Sequence, residues 1–329
     1  MEIGHFLWLS SKKKRRISLI AIILDKLYYS LLFLTRYKMN KHFLNLKEYG
    51  STEVRDLVYA AQELKKGSLL DKLKGKYLAL IFEKSSTRTR LSFEVAMSQL
   101  GGRASFLSIN DLQLGRGEPI ADSAKVISSM ADGIVLRTLK HETLEDFAKS
   151  SSVPVINGLT DLSHPCQLLA DMVTFIEQKG SIENKKVCWV GDYNNVCYSY
   201  IEAAEIFNFN LVIVCPEEFQ PKDLKLASNV EMTKSLDIGL KESDLVTTDV
   251  WISMGDEKET SSRLAAFSGY QISPKVMDKA KSDAIFLHCL PAVRGQEISH
   301  DMLDDPRSKV WDQAENRLHA QKSLLLSLL

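Results

Sequence analysis

The chain has no excess of charge. Its 329 residues carry 42 Lys plus Arg against 42 Asp plus Glu. A nucleic-acid partner selects for a basic surface, so this balance argues against one and leaves room only for a local basic patch. Cysteine is sparse: Cys166, Cys188, Cys197, Cys215 and Cys289 are scattered, odd in number and without a Cys-x-x-Cys pair. Zinc and a disulfide framework are therefore not expected, and a reducing compartment is. There is no Gly-x-x-x-x-Gly-Lys, so a nucleoside triphosphate is not indicated, and no Gly-x-Gly-x-x-Gly, so neither is a dinucleotide. Long apolar runs are missing too. Residues 17–24 and 27–35 are apolar but are split by Asp25-Lys26. A membrane span needs about 20 apolar residues without a central charge pair. What is present is the balance of a soluble globular protein, 45% hydrophobic and 26% charged, long enough for two domains with real cores.

The most informative stretch is Phe82-Glu83-Lys84-Ser85-Ser86-Thr87-Arg88-Thr89-Arg90. The apolar run at 77–82 before it reads as a buried strand. The residues after it place Phe93, Ala96, Met97 and Leu100 at helical spacing. The hydroxyls and guanidiniums thus sit at a strand-to-helix turn, where free N–H groups and the helix dipole favour an anion. Ser86, Thr87, Thr89 and the fork of Arg88 complete a site shaped for phosphate. An ordinary N-cap with solvated arginines is the plainer alternative. Two hydroxyl–Arg repeats behind a buried strand favour the anion site.

Further strands are expected at 103–107, 134–136 and 153–156, with helices at 51–67 (Ser51 as N-cap) and 120–130. Strands alternating with helices imply parallel βαβ units covered on both faces. Ligands of such sheets bind at the carboxyl ends of strands. Arg137 lies just past one such end, although position alone leaves a surface ion pair equally open. His164-Pro165-Cys166-Gln167 follows the fourth strand and opens an apolar helix. Its His and Gln can both donate to a carbonyl oxygen; a lone His is more often structural, but this one shares an end of the sheet with two polar clusters. In the second half, strands are expected at 187–190, 211–215, 245–248 and 284–287. The first ends in Gly191-Asp192, and Asn194-Asn195 precedes a helix at about 197–207. Asp249 and Cys289 both lie where strands end. Cys289 can be a buried structural thiol or can meet a cationic amine beside Asp249. A nucleophilic pair with His288 is disfavoured, because neighbours on a strand point to opposite faces.

Residues 1–38 differ from the rest. The basic block Lys12-Lys13-Lys14-Arg15-Arg16 precedes the two apolar runs, and no small-residue cleavage site follows. The expectation is an atypical extension, with Met39 as a natural beginning; an organelle-targeting segment is the alternative.

Six separated motifs resemble the ornithine carbamoyltransferases over essentially residues 39–329. They are Ser86-Thr87-Arg88-Thr89-Arg90, Arg137, His164-Pro165-Cys166-Gln167, the stretch from Asp249 to Gly255, His288-Cys289-Leu290-Pro291 and Glu315-Asn316-Arg317. Ser253-Met254-Gly255 and His288-Cys289-Leu290-Pro291 distinguish ornithine from aspartate enzymes within the superfamily. The resemblance implies an α/β fold of two domains, each a parallel β-sheet flanked by helices, with the active site in the interdomain cleft. Residues 39–180 would bind carbamoyl phosphate and 181–313 ornithine, while a final helix at 314–329 packs back on the first domain. Ser86, Thr87, Arg88, Thr89, Gln113, Arg137, His164, Gln167, Cys289, Leu290 and Arg317 would hold carbamoyl phosphate, Gln113 often across a subunit boundary. Asn195, Asp249, Ser253 and Met254 would hold ornithine. Arg88, Arg137, His164 and Cys289 would carry catalysis, without cofactor or metal. A cytoplasmic homotrimer with shared active sites is expected, the organelle matrix being the alternative. Three departures from the family pattern touch no assigned residue: Ser85, Pro119 and Val293. A carbamoyltransferase for another amine, such as putrescine, and a catalytically silent family member are the rival readings.

Overall fold

A computed structural model describes residues 42–67, 71–109, 112–222, 225–252 and 260–329. Ser253, Met254 and the whole 1–38 extension lie outside these residues.

The chain folds as two parallel sheets. Helix α1 (Ser51–Lys66) leads into β1 (Tyr77–Phe82), α2 (Thr87–Gln99), β2 (Arg103–Ser108), α3 (Ile120–Ser128), β3 (Gly133–Arg137), α4 (His141–Ser150), β4 (Val155–Leu159) and α5 (Pro165–Lys179). The second half runs β5 (Lys186–Val190), α6 (Asn195–Phe207), β6 (Asn210–Val214), β7 (Val230–Thr233), α7 (Leu236–Leu240), β8 (Leu245–Thr248), α8 (Thr260–Phe267), α9 (Pro274–Met277), β9 (Ile285–His288) and α10 (Val310–Leu328). The first sheet has the order β2-β1-β3-β4 and the second β7-β6-β5-β8-β9. Every strand pair is parallel. Their central strands are nearly continuous apolar runs, as sheets buried on both faces require. Among the described residues, no helix is long and apolar enough to cross a membrane.

Several bounds differ from the sequence reading. Gly50, not Ser51, is the N-cap of α1, and its backbone rather than a side chain serves the first turn. Strand β4 begins two residues later than expected and runs past Asn157 with an irregular register beside β3. Strand β7 was not anticipated, being short and lying on a sheet edge. The tight exit from β5 depends on Gly191, at φ 139°. The positive φ disfavours any side chain there, and a Cβ would also press on the Thr248 hydroxyl at 3.3 Å.

The register brings the site together. Phe82 pairs with Arg137 at the carboxyl end of the first sheet, and Thr248 pairs with His288 at that of the second. The last helix, α10, leaves the second half and packs on α5, α1 and α2 of the first. It buries Ala320, Leu324 and Leu325 there, and each buried Leu contributes about 1.5–3 kcal/mol of transfer free energy. It thereby carries Arg317 to the phosphate-type turn.

Candidate active site

A cleft of about 850 Å³ opens between the carboxyl ends of the two sheets. Ser86, Thr87, Arg88, Thr89, Arg137, His164, Asn195, Asp249, Cys289, Leu290 and Arg317 all line it. These residues come from seven separate segments of the chain.

The first wall is cationic. Ser86 caps α2, its hydroxyl accepting from the Thr89 amide, which leaves the other N-terminal amides of the helix toward the cleft. Arg88 extends from the first turn, and its Nη2 donates to the Leu290 carbonyl at 2.5 Å. Leu290 adopts φ 57°, a left-handed conformation that costs a non-glycine residue about 1–2 kcal/mol. Arg137, at the end of β3, is aimed by its neighbours. The Glu83 carboxylate accepts from the Thr138 hydroxyl and the Leu139 amide, both at 2.7 Å. Arg317 donates through Nη1 to Gln167 at 2.6 Å and through Nη2 to the Thr89 hydroxyl at 3.2 Å.

Three guanidiniums in one partly dry space disturb each other. Burial, then the charges of Arg317 and Arg88, pull Arg137 down to about 10. Arg88 and Arg317 are lowered as well, chiefly by burial. His164 is pushed well below its ordinary value by burial and by all three arginines, so its imidazole is neutral near pH 7. Arg137 Nε, Arg317 Nε and His164 Nδ1 are buried with no hydrogen-bond partner in the protein. Buried donors are normally satisfied. Orphaned donors beside crowded positive charges mark a place for an anion with several acceptor oxygens.

The second wall is acidic. Asp249 Oδ1 accepts from Cys289 Sγ at 3.0 Å and from the Val250 amide, and Oδ2 from Asn194 Nδ2 at 2.8 Å. Burial and the Asp249 charge raise the Cys289 thiol well above its usual value, so it stands protonated as a donor. Asn195 donates to the Thr160 carbonyl at 2.6 Å. Asp249, His288 and Cys289 bring ligand-type atoms within 4.8 Å of one another. The ring nitrogens of His288 are engaged, however, Nδ1 accepting from the Leu290 amide and Nε2 lying 3.2 Å from Glu297.

Two anticipated residues lie elsewhere. Gln167 is buried behind Arg317, its amide shared between Arg317 and Asp171. Gln113 is exposed on a 3₁₀ turn, Gln113–Arg116, away from the cleft. Sequence reasoning missed Glu83, Asn194 and the buried Asp192–Arg263 ion pair, 2.7 Å long, on the second wall. Glu83 lay within the key stretch and Asn194 beside Asn195, so proximity was their only signal. Nothing in the sequence linked Arg263 to Asp192, 71 residues apart.

Comparison with known proteins identifies the family. Residues 41–177 match the family described as "Aspartate/ornithine carbamoyltransferase, carbamoyl-P binding domain". Residues 183–328 match its "Asp/Orn binding domain" counterpart. The chain belongs to the aspartate/ornithine carbamoyltransferase family. It is 56% identical over 296 residues to an ornithine carbamoyltransferase of Psychrobacter cryohalolentis, covering 88% of this chain and 97% of that one. It is 53% identical to the anabolic enzyme of Pseudomonas aeruginosa, covering 88% and 97%. Among solved structures, the ornithine carbamoyltransferase of Pyrococcus furiosus superposes with a TM-score of 0.84 at 44% identity, covering 89% of this chain and 98% of that one.

Proposed function

We propose that this chain transfers the carbamoyl group of carbamoyl phosphate to the side-chain amine of L-ornithine, giving L-citrulline and phosphate, in the biosynthetic direction toward arginine. One observation carries the reading. Two of the three arginines, Arg137 and Arg317, and a neutral histidine leave buried nitrogens unpartnered at one end of the cleft, facing a carboxylate–thiol pair at the other. The first fits an acyl phosphate with a carbonyl to polarise, the second a cationic amine.

In the reaction the bound ammonium first gives one proton up to solvent, the neutral amine nitrogen forms a bond to the carbonyl carbon, the bond from that carbon to the phosphate oxygen breaks, and the departing phosphate takes the second proton. Ser86, Thr87, Arg88, Thr89, Arg137 and Arg317 hold the phosphate. Arg88, Arg137 and neutral His164 stabilise charge developing on the carbonyl oxygen, as an oxyanion hole does. The Leu290 carbonyl, which accepts from Arg88 Nη2, is an acceptor for the carbamoyl amide. An ornithine side-chain amine is mostly protonated at neutral pH, like Lys near 10.4. Asp249 and the Cys289 thiol position it, and Asn195, Ser253 and Met254 complete the amino-acid site. Holding two substrates together supplies up to about 7–11 kcal/mol of the barrier reduction.

We further propose a division into 39–180 and 181–313, with the final helix of 314–329 serving the first domain and 1–38 an extension. The assembly is a cytoplasmic homotrimer in which exposed Gln113 reaches a neighbour's site. Val126 and Met130, 52% and 72% exposed, are apolar surface available to a second copy. Light scattering should give about three times 37.1 kDa. The reaction is tested with purified full-length chain, carbamoyl phosphate and ornithine, putrescine or aspartate as acceptor. Product with ornithine alone is expected. Product with putrescine instead would make it a transferase for another amine, and silence with all three a family member without catalysis.

A further inference from the structure

Behind the cleft lies a carboxylate that touches no substrate space. Asp171, on α5, is 1% exposed and accepts three side-chain hydrogen bonds from three helices. The donors are Gln167 Nε2 at 2.8 Å, Gln313 Nε2 at 2.5 Å and Tyr200 Oη at 2.7 Å. We propose that Asp171 is a positioning residue for carbamoyl transfer, setting Arg317 on one side of the cleft and the backbone that bears Cys289 and Leu290 on the other. This rests on the carbamoyl-transfer reading above.

Hydrogen-bond polarity links the carboxylate to both walls. A carboxylate only accepts, so each glutamine must turn its NH2 toward Asp171 and its oxygen away. The Gln167 oxygen then accepts from Arg317 Nη1 at 2.6 Å. The Gln313 oxygen accepts from the His288 amide at 3.1 Å, immediately before Cys289. One acceptor-only group thereby fixes two amides, and each amide hands an acceptor to one wall of the site. Gln313 and Arg317 stand one turn apart on the last helix, which already ties the two walls through its backbone; Asp171 adds the choice of which end of each amide faces Arg317 and the His288 amide. Burying a charge for structure alone is a poor device, since well-packed apolar residues of the same volume are often as stable or more so. Burial raises the Asp171 carboxyl and its three donors oppose that.

Tyr200 supplies the control. Its hydroxyl binds the same carboxylate at 2.7 Å and also meets Thr247 and feels the Cys289 thiol, but it carries no amide that Asp171 could turn toward either wall. The experiment compares the full-length parent with Asp171→Asn, Gln313→Met and Tyr200→Phe. It measures citrulline kinetics, thermal stability, and inorganic phosphate binding by calorimetry. A parent that binds phosphate but makes no citrulline would sink the function reading, and the phosphate arm would still read the placement of Arg317. Asparagine at 171 can present NH2 as well as oxygen and lets both glutamines turn. Its kcat is expected to fall about 10²-fold, the cost of misplacing a reacting group by about 1 Å, with phosphate binding weakened. Gln313→Met breaks one arm and should lose about tenfold in kcat with phosphate binding kept, a partial form of the same misplacement. Tyr200→Phe should lower the melting temperature but keep kcat and phosphate binding within about twofold of the parent. If Asp171→Asn does not fold, Gln313→Met against Tyr200→Phe decides. Parental kcat in folded Asp171→Asn and Gln313→Met, or an equal kcat loss in Tyr200→Phe, would overturn the proposal.

Discussion

The arginines are not interchangeable in what they hold before substrate arrives. Arg137 has a buried Nε with no partner, and burial with two neighbouring guanidiniums already lowers it to about 10. Carbamoyl phosphate relieves that crowding, so Arg137→Lys, which keeps charge but loses the planar fork, should raise KM for carbamoyl phosphate and lower kcat, together by about 10²-fold or more, the typical loss of an oxyanion-hole donor. Unchanged kinetics in that variant would remove Arg137 from the oxyanion role. Cys289 invites the opposite test. Its thiol is held protonated by burial and Asp249, and the thiolate is the nucleophile in alkylation. Iodoacetamide at pH 8 should therefore modify Cys289 more slowly than free cysteine, which mass spectrometry of the labelled peptide would read. Both residues were legible because they end predicted strands. Gln167 shows the limit of that legibility. Its motif was plain, but whether its amide faces the cleft or Arg317 depends on Asp171 and on a helix 150 residues away.

At the scale of the element, α6 does two jobs at its first turn. Asn194 caps it, its Oδ1 accepting from the Val196 and Cys197 amides, while its Nδ2 holds Asp249. Asn194→Asp keeps an acceptor for the cap but loses the donor and sets a second carboxylate against Asp249. Melting temperature should stay near the parent while KM for ornithine changes several-fold. Asn194→Ala should in addition cost about 1 kcal/mol of stability as the cap is lost. Equal melting temperatures for the alanine and aspartate variants would deny the cap its role. Elements such as α2, β1 and β8 were readable because an apolar run or a helical period coincides with burial: Phe93, Ala96 and Met97 are all fully buried. Strand β7 was not, since its sequence Val-Glu-Met-Thr buries only Val230. Strand β4 starts after Pro154, not at apolar Val153: Pro154 accepts from the Ile134 amide at 2.9 Å but has no N–H to donate to the ladder.

On the scale of the whole molecule, α6 is the seam between the two halves. Asn195 donates to the Thr160 carbonyl, the Ser199 hydroxyl accepts from the His164 amide, Tyr200 donates to Asp171, and the Ile206 carbonyl accepts from Arg55. A further contact is buried and titratable. Glu202 is 3% exposed, accepts from the Leu46 amide at 3.3 Å and has its other oxygen unpartnered. Burial raises its carboxyl from 4.5 to about 7, with Glu48 adding to the rise and the Leu46 and Lys47 amides and the Lys47 charge opposing it. Between those two values the folded chain holds a proton that the unfolded chain has released. Folding stability from this group is therefore fully present below about pH 4.5 and is lost as pH rises through about 7. The shift corresponds to a contribution on the order of 3 kcal/mol at most. Glu202→Gln keeps an oxygen for the Leu46 amide and removes the titration. Parent and variant should differ little in urea midpoint at pH 5, and the variant should be the more stable at pH 8. Midpoints that fall in parallel between pH 5 and 8 would mean that the seam is held by its fixed hydrogen bonds and that Glu202 bears no proton-linked share of the joint.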